Sequence, residues 1–162
     1  MPDDWIVYAC LAAGICSGLV AGVFLSFSDF IMRSLVAARP ASGIEAMQMI
    51  NRKVVRTWFL VMLLGMAPAS VALAGYAYFN LSAPTSLLII AGAAIYLVFV
   101  VLVTMFYNVP MNNRLSHMDP FAEESVNYWK IYGAVWTRWN HARTLGSLAS
   151  ALCFLFASIA LS

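Results

Sequence analysis

Charge is what this sequence has least of. Only 10% of its 162 residues are Asp, Glu, Lys or Arg, against 63% hydrophobic, and the mean hydropathy is +0.84. An average soluble domain is about 25% charged and about 45–50% apolar. So few charges cannot cover a water-facing surface, which excludes a soluble domain and a disordered chain. The net charge of +2, with no basic tract, excludes nucleic acid or another polyanion as a partner. Histidine occurs twice and cysteine three times. Cys10, Cys16 and Cys153 lie in apolar stretches with no CxxC or Cys/His cluster, and read as small hydrophobes between packed helices. GxGxxG, the P-loop, G-x-S-x-G and CxxC-H are all missing, which removes support for nucleotide-driven, covalent-serine and c-type-haem chemistry. No H-E-x-x-H spacing joins His117 or His141 to Asp29, Asp119 or Glu123, so no metal site is read, and no axial haem pair is evident.

What is present is long uncharged sequence. About 20 apolar residues cross a bilayer as a helix. Residues 5–28, 57–113 and 144–162 carry no charge. Asn80-Leu-Ser-Ala-Pro84-Thr breaks the middle stretch. The expected spans are therefore 5–28, 58–79, 85–107 and 144–162, in one membrane domain covering residues 1–162: an all-α, four-helix integral membrane bundle. Met1-Pro-Asp-Asp4 lacks a basic n-region, so the first span is expected to stay in the mature chain.

All nine basic residues fall in the two connections that follow spans one and three. The positive-inside rule places both connections in the cytoplasm and both termini outside, as for an inner-membrane protein. Span one is expected to continue helically to about Ala38, before Pro40. Ser42-Gly-Ile-Glu45 has the form of a capping box for a helix running on into span two. Residues 120–143 also read as helix running into span four, so a cytoplasmic extension of the bundle is expected, with Pro68, Gly133 and Gly146 as kink sites. Gly14, Gly18 and Gly22 form a small-residue ridge for close helix packing, within the bundle or against a protein partner.

Unusual polar residues gather at the cytoplasmic end, and a polar group at membrane depth is expensive. No charge occupies a span centre and no inverted pair of broken spans is evident, which disfavours a coupled ion transporter. Asn108-Val-Pro110-Met-Asn112 is either a capped helix end or a ligand-facing turn. In the helix leading to span four, Trp136, Asn140, Arg143 and Ser147 share one face, while Arg138, His141 and Leu145 share the next. The first face offers an aromatic wall and hydrogen-bond donors for a flat molecule and its oxyanion; the alternative is an interfacial tryptophan belt with snorkelling arginines. Asp29 stands four residues before Arg33, as an ion pair or as a buried base. Tyr128, Tyr132, Val135 and Trp139 form a stripe of core type.

Four segments, in order, carry a resemblance. They are Gly18-Leu-Val-Ala-Gly22-Val-Phe-Leu-Ser-Phe-Ser28, Ala46-Met-Gln-Met-Ile-Asn51-Arg52, Asn108-Val-Pro110-Met-Asn112-Asn113-Arg114-Leu and Trp136-Thr-Arg-Trp139-Asn140-His141-Ala-Arg143-Thr. Together they resemble the anthrone oxygenase-like family of small four-span membrane proteins. The resemblance implies the four-helix fold and oxidation of a flat aromatic or phenolic small molecule by O2. Its motif positions are Asn108, Asn112, Trp136, Asn140 and Arg143; Asp29 departs from its pattern. An activated C–H yields an electron-rich anion that reacts directly with O2, so no cofactor is expected. The expected roles are His141 as base, Arg143 and Asn140 as oxyanion donors, Trp136 and Trp139 as walls, and Asn108 and Asn112 as substrate-orienting groups. The other readings are a non-catalytic subunit or assembly factor, and a binder of a lipid or quinone-like ligand.

Overall fold

A computed structural model describes residues 4–162. The expectation about an uncleaved N-terminus rests in part on Met1–Asp3, which lie outside the described residues. Five helices follow one another: α1 (Asp4–Ala37), α2 (Pro40–Val54), α3 (Trp58–Asn80), α4 (Thr85–Ser116) and α5 (Glu123–Leu161). All but α2 are long and apolar enough to cross a membrane, so the chain is an integral membrane protein.

The four long helices form a ring in the order α1, α5, α4, α3. The pairing of α1 with α5 is the most extensive and that of α3 with α1 the thinnest. One apolar core, including Val20, Phe24, Leu63, Tyr96 and Phe154, fills the membrane part. A second, with Met32, Ile44, Met47, Tyr132 and Trp136, fills the basic end under α2. Hydrogen bonds cross between helices where lipid offers no alternative: Tyr96 Oη donates to the Leu63 carbonyl at 3.0 Å, Ser150 Oγ to that of Gly92 at 2.9 Å. Each such bond is worth about 0.6 kcal/mol on average within a membrane.

Three helices, α1, α4 and α5, overrun the bilayer, α1 and α5 as expected from the sequence. At 1.5 Å per residue the 39 residues of α5 extend about 58 Å, roughly twice the hydrocarbon thickness. Gly146 lies inside this continuous helix and serves as a point of close approach, since a Cβ there would collide with Phe99. Gly43 does the same for α2: a Cβ there would strike the Leu35 carbonyl, so the absence of a side chain lets α2 fold back on the end of α1.

Three local expectations are corrected. The capping box is unused, because α2 starts at Pro40 as a first-turn proline with no side-chain cap. Nor does α2 run into span two: residues 55–57 break the helix, and Thr57 Oγ1 caps α3 by accepting from the Leu60 N–H at 3.4 Å. The third span does not end at Asn108. Pro110 has no N–H for the preceding turn, and α4 passes it by widening to π-helix over Thr104–Asn108, then resumes α-helix to Ser116.

The glycine ridge is split. A Cβ at Gly14 would lie 2.7 Å from Leu155, so this glycine packs α1 against α5, whereas a Cβ at Gly18 or Gly22 meets nothing within 4 Å.

Candidate functional site

At the basic end of the bundle a half-open cavity of about 120 Å³ is lined by all five helices. Its wall is mostly apolar: Val23, Phe24 and Phe27 of α1; Met47, Ile50 and Val54 of α2; Phe59, Leu60 and Leu63 of α3; Val109 of α4; and Trp136 of α5. Four polar side chains break this wall, namely Asn51, Thr104, Asn112 and Arg143. No carboxylate and no imidazole lines it.

Arg143 is the only charged residue among the lining, and it is 5% exposed. The α5 helix carries it inward because Trp136, Asn140, Arg143 and Ser147 fall on one buried face, as their spacing predicts. Its hydrogen-bond partners are neutral: Nη2 donates to Asn140 Oδ1 at 2.5 Å and Nη1 to Thr104 Oγ1 at 3.5 Å. Nε has no partner. The guanidinium lies over the Phe24 ring at 4.2 Å and the Trp136 ring at 5.1 Å. Aromatic faces soften the cost of a buried cation without neutralising it.

Asn140 holds this arrangement in place. It is fully buried, and its Nδ2 donates to the Phe24 carbonyl and to Ser28 Oγ, both at 2.6 Å. The acceptors sit at the start of the π-helical turn in α1, Phe27–Ile31. Both amide hydrogens are thus spent, which corrects the expectation that Asn140 donates to an oxyanion. It is a positioning residue that ties α1 to the guanidinium.

The asparagines of α4 divide their tasks. Asn112 lines the cavity, and its Oδ1 accepts from Tyr132 Oη at 2.7 Å and Trp136 Nε1 at 2.8 Å. Two donors on one oxygen fix the amide orientation and leave Nδ2 as the free donor at the wall. Asn108 does not line the cavity. It is fully buried and braces α4 on α5, with Nδ2 donating to the Trp136 carbonyl at 3.2 Å and Oδ1 unpartnered.

Two expected site residues stand apart. His141 is exposed, on the face it shares with Arg138 and Leu145, and does not line the cavity. Trp139 stacks on Tyr107, with centroids 3.6 Å apart and an 18° tilt, on the α4–α5 flank away from Arg143. One residue along a helix turns the side chain by about 100°, so neither neighbour of Asn140 can share its face. Asp29 is exposed too, which removes it as a buried base. Among the described residues, no three His, Cys, Asp or Glu side chains gather in one place.

The residues that sequence reasoning missed come mainly from α2. Asn51 lines the cavity with a buried, unpartnered Nδ2. Gln48 Nε2 donates to the Leu115 and Met118 carbonyls, both at 2.9 Å, and so clamps α2 over the end of α4. Their signal was available: both lie in the Ala46–Arg52 segment, on the face opposite its exposed residues. Trp136 also ends a stacked aromatic column with Tyr132 and Trp129, at centroid spacings of 6.1 and 5.4 Å, which stiffens this wall.

The cavity is thus a greasy slot with three kinds of donor and no base. It suits a flat aromatic whose oxygen bears negative charge. A family model described as Anthrone oxygenase matches residues 55–153, a range that includes Thr104, Asn108, Asn112, Trp136, Asn140 and Arg143. No curated protein and no solved structure gives a significant match.

Proposed function

Because the chain belongs to the anthrone oxygenase family, we propose that it is a membrane oxygenase oxidising a flat aromatic with O2 at the Arg143 cavity. The observation that carries this reading is the guanidinium itself, 5% exposed, with neutral partners and an idle Nε. An uncompensated buried cation is unfavourable. An anion formed beside it relieves that cost, so the site favours the anionic species over the neutral substrate, and catalysis follows from that difference.

In an anthrone-type substrate the reacting CH2 lies across the ring from a carbonyl. Loss of one proton places negative charge on the former carbonyl oxygen, where Arg143, Asn51 and Asn112 donate. With no base in the lining, the proton passes to water or hydroxide at the mouth, beside the half-buried Asn51. The carbanion then passes one electron to O2, and the resulting ring radical and superoxide join to form a C–O bond. The peroxide gains a proton and loses water, taking the second hydrogen of the CH2. The sum is one substrate and one O2 giving one quinone and one H2O: a four-electron oxidation matched by the four-electron reduction of O2. Trp136 and Phe24 flank the ring, and Asn140 and Asn108 hold the helices that carry the donors. By the positive-inside rule this end of the bundle faces the cytoplasm.

The test is oxygen uptake by the protein in nanodiscs with an anthrone, after chelator treatment and against empty nanodiscs. One O2 consumed per quinone formed, above the blank, is expected. Binding without uptake would overturn the oxygenase and leave a binder of anionic aromatics.

A further inference from the structure

We propose that the Arg143 cavity also binds a small, weakly hydrated monovalent anion, chloride or a larger halide, which competes with the substrate. This rests on the reading of Arg143 as a donor to the substrate's oxyanion, and it adds an inhibitor to that same site.

A guanidinium carries five N–H donors and no acceptor. Arg143 makes two hydrogen bonds to protein, one to Asn140 Oδ1 and a long one, at 3.5 Å, to Thr104 Oγ1. Five minus two leaves three N–H groups without an acceptor, that of Nε among them. The lining amides add donors of the same kind. Asn51 Nδ2 is buried without a partner. Asn112 Oδ1 is taken by Tyr132 and Trp136, so this amide offers the cavity its Nδ2. The wall thus presents N–H groups from three helices and no carboxylate that would repel a negative ion.

Three properties of the cavity select the ion. One guanidinium balances one negative charge, and a divalent ion would bury a second charge unpaired. The volume is about 120 Å³, and since about 10–15 Å³ admits one water, a halide enters with room for water beside it. The mostly apolar wall cannot replace a full hydration shell, so an ion that holds its water loosely loses least on entry. Affinity should therefore rise from chloride to bromide to iodide. Exposed Arg52, Lys53 and Arg56 stand within two residues of the lining Asn51 and Val54 and raise the anion concentration at this end. A bound halide occupies the donors that the oxyanion needs, so it should raise KM and leave kcat unchanged.

Bromide binding is read first, without substrate or O2, as broadening of the bromide NMR line by the protein in phosphatidylcholine nanodiscs, with empty nanodiscs subtracted. Saturable broadening is expected, reversed by 1-naphthol, lost in Arg143→Met and weakened about tenfold in Asn51→Leu, a difference of ~1.4 kcal/mol. The apparent Kd of 1-naphthol should rise about twofold at a bromide concentration equal to bromide's own Kd, and about elevenfold at ten times that concentration. Sodium sulfate at the same ionic strength should leave it unchanged. The inference is overturned by the lack of saturable broadening, by broadening that survives Arg143→Met or resists 1-naphthol, or by equal competition from sulfate. Should Arg143→Met not fold, unchanged bromide affinity in Asn51→Leu overturns it instead. Oxygen uptake separates the two readings. Uptake that bromide does not slow leaves the oxygenase standing and removes the halide. Bromide binding without any uptake removes the oxygenase and leaves the halide site.

Discussion

Replacing Arg143 with methionine should cut turnover by orders of magnitude and leave the fold standing. The guanidinium is 5% exposed, and its hydrogen bonds go to the neutral Asn140 and Thr104. Removing a buried ion relieves a desolvation penalty of several kcal/mol, and methionine fills a similar volume. Against this stand the charged hydrogen bond to Asn140 at about 1.5–3 kcal/mol and an Asn140 Oδ1 left unpaired at about 1–3 kcal/mol. The contacts over Phe24 and Trp136 add about 0.5–2 kcal/mol each to the loss. Opposing terms of like size leave a net change within about 2 kcal/mol of zero, a shift of no more than about 8 °C in Tm for a chain of this length. Turnover should fall by about 10²–10³, the cost of one lost oxyanion donor, ~2.7–4 kcal/mol. Thermal unfolding in detergent and oxygen uptake in nanodiscs read the two quantities separately. Uptake within threefold of wild type would refute the argument. So would a chain that folds as Arg143→Lys but not as Arg143→Met, because the buried positive charge would then serve the fold.

Asn140→Ala should do the opposite on stability. It strands the Phe24 carbonyl and Ser28 Oγ in the core and releases the guanidinium, for a loss of about 2–5 kcal/mol together with reduced turnover; retained Tm would sink the positioning role. His141→Ala should leave uptake within about twofold, because the exposed imidazole does not line the cavity. A tenfold loss of uptake in this variant would return the imidazole to the mechanism. Gly146→Val should destabilise by about 1–3 kcal/mol through collision with Phe99, seen as a lower Tm, since an overpacked helix contact must shift to admit the new atoms.

Much of the site's address was legible and little of its wiring. Helical spacing alone separated the Trp136, Asn140, Arg143 and Ser147 face from that of His141, and the structure keeps them apart. Giving His141 the role of base set chemical aptitude above that geometry. Trp139 was misplaced the same way: a large ring next to Asn140 in sequence stands on another flank beside Tyr107. Asn51 stands in the sequence beside the basic Arg52 and Lys53, and no local pattern gives it a role. Its inward aim depends on α2 folding back, which only the missing Cβ of Gly43 permits.

The sequence by itself determined that this chain enters a membrane, how many times it crosses, where the connections fall and which end is polar. Those properties depend on the length and hydropathy of each segment measured against the bilayer, and each is complete within about 20 neighbouring residues. Only the tertiary structure decided what each polar group does. Asn140 meets a carbonyl 116 residues away, and Arg143 meets a hydroxyl 39 residues away. The cavity exists because all five helices contribute residues to one wall. Contacts across such separations leave no local pattern, so the same asparagine reads as a donor to substrate in the sequence and as a brace in the fold.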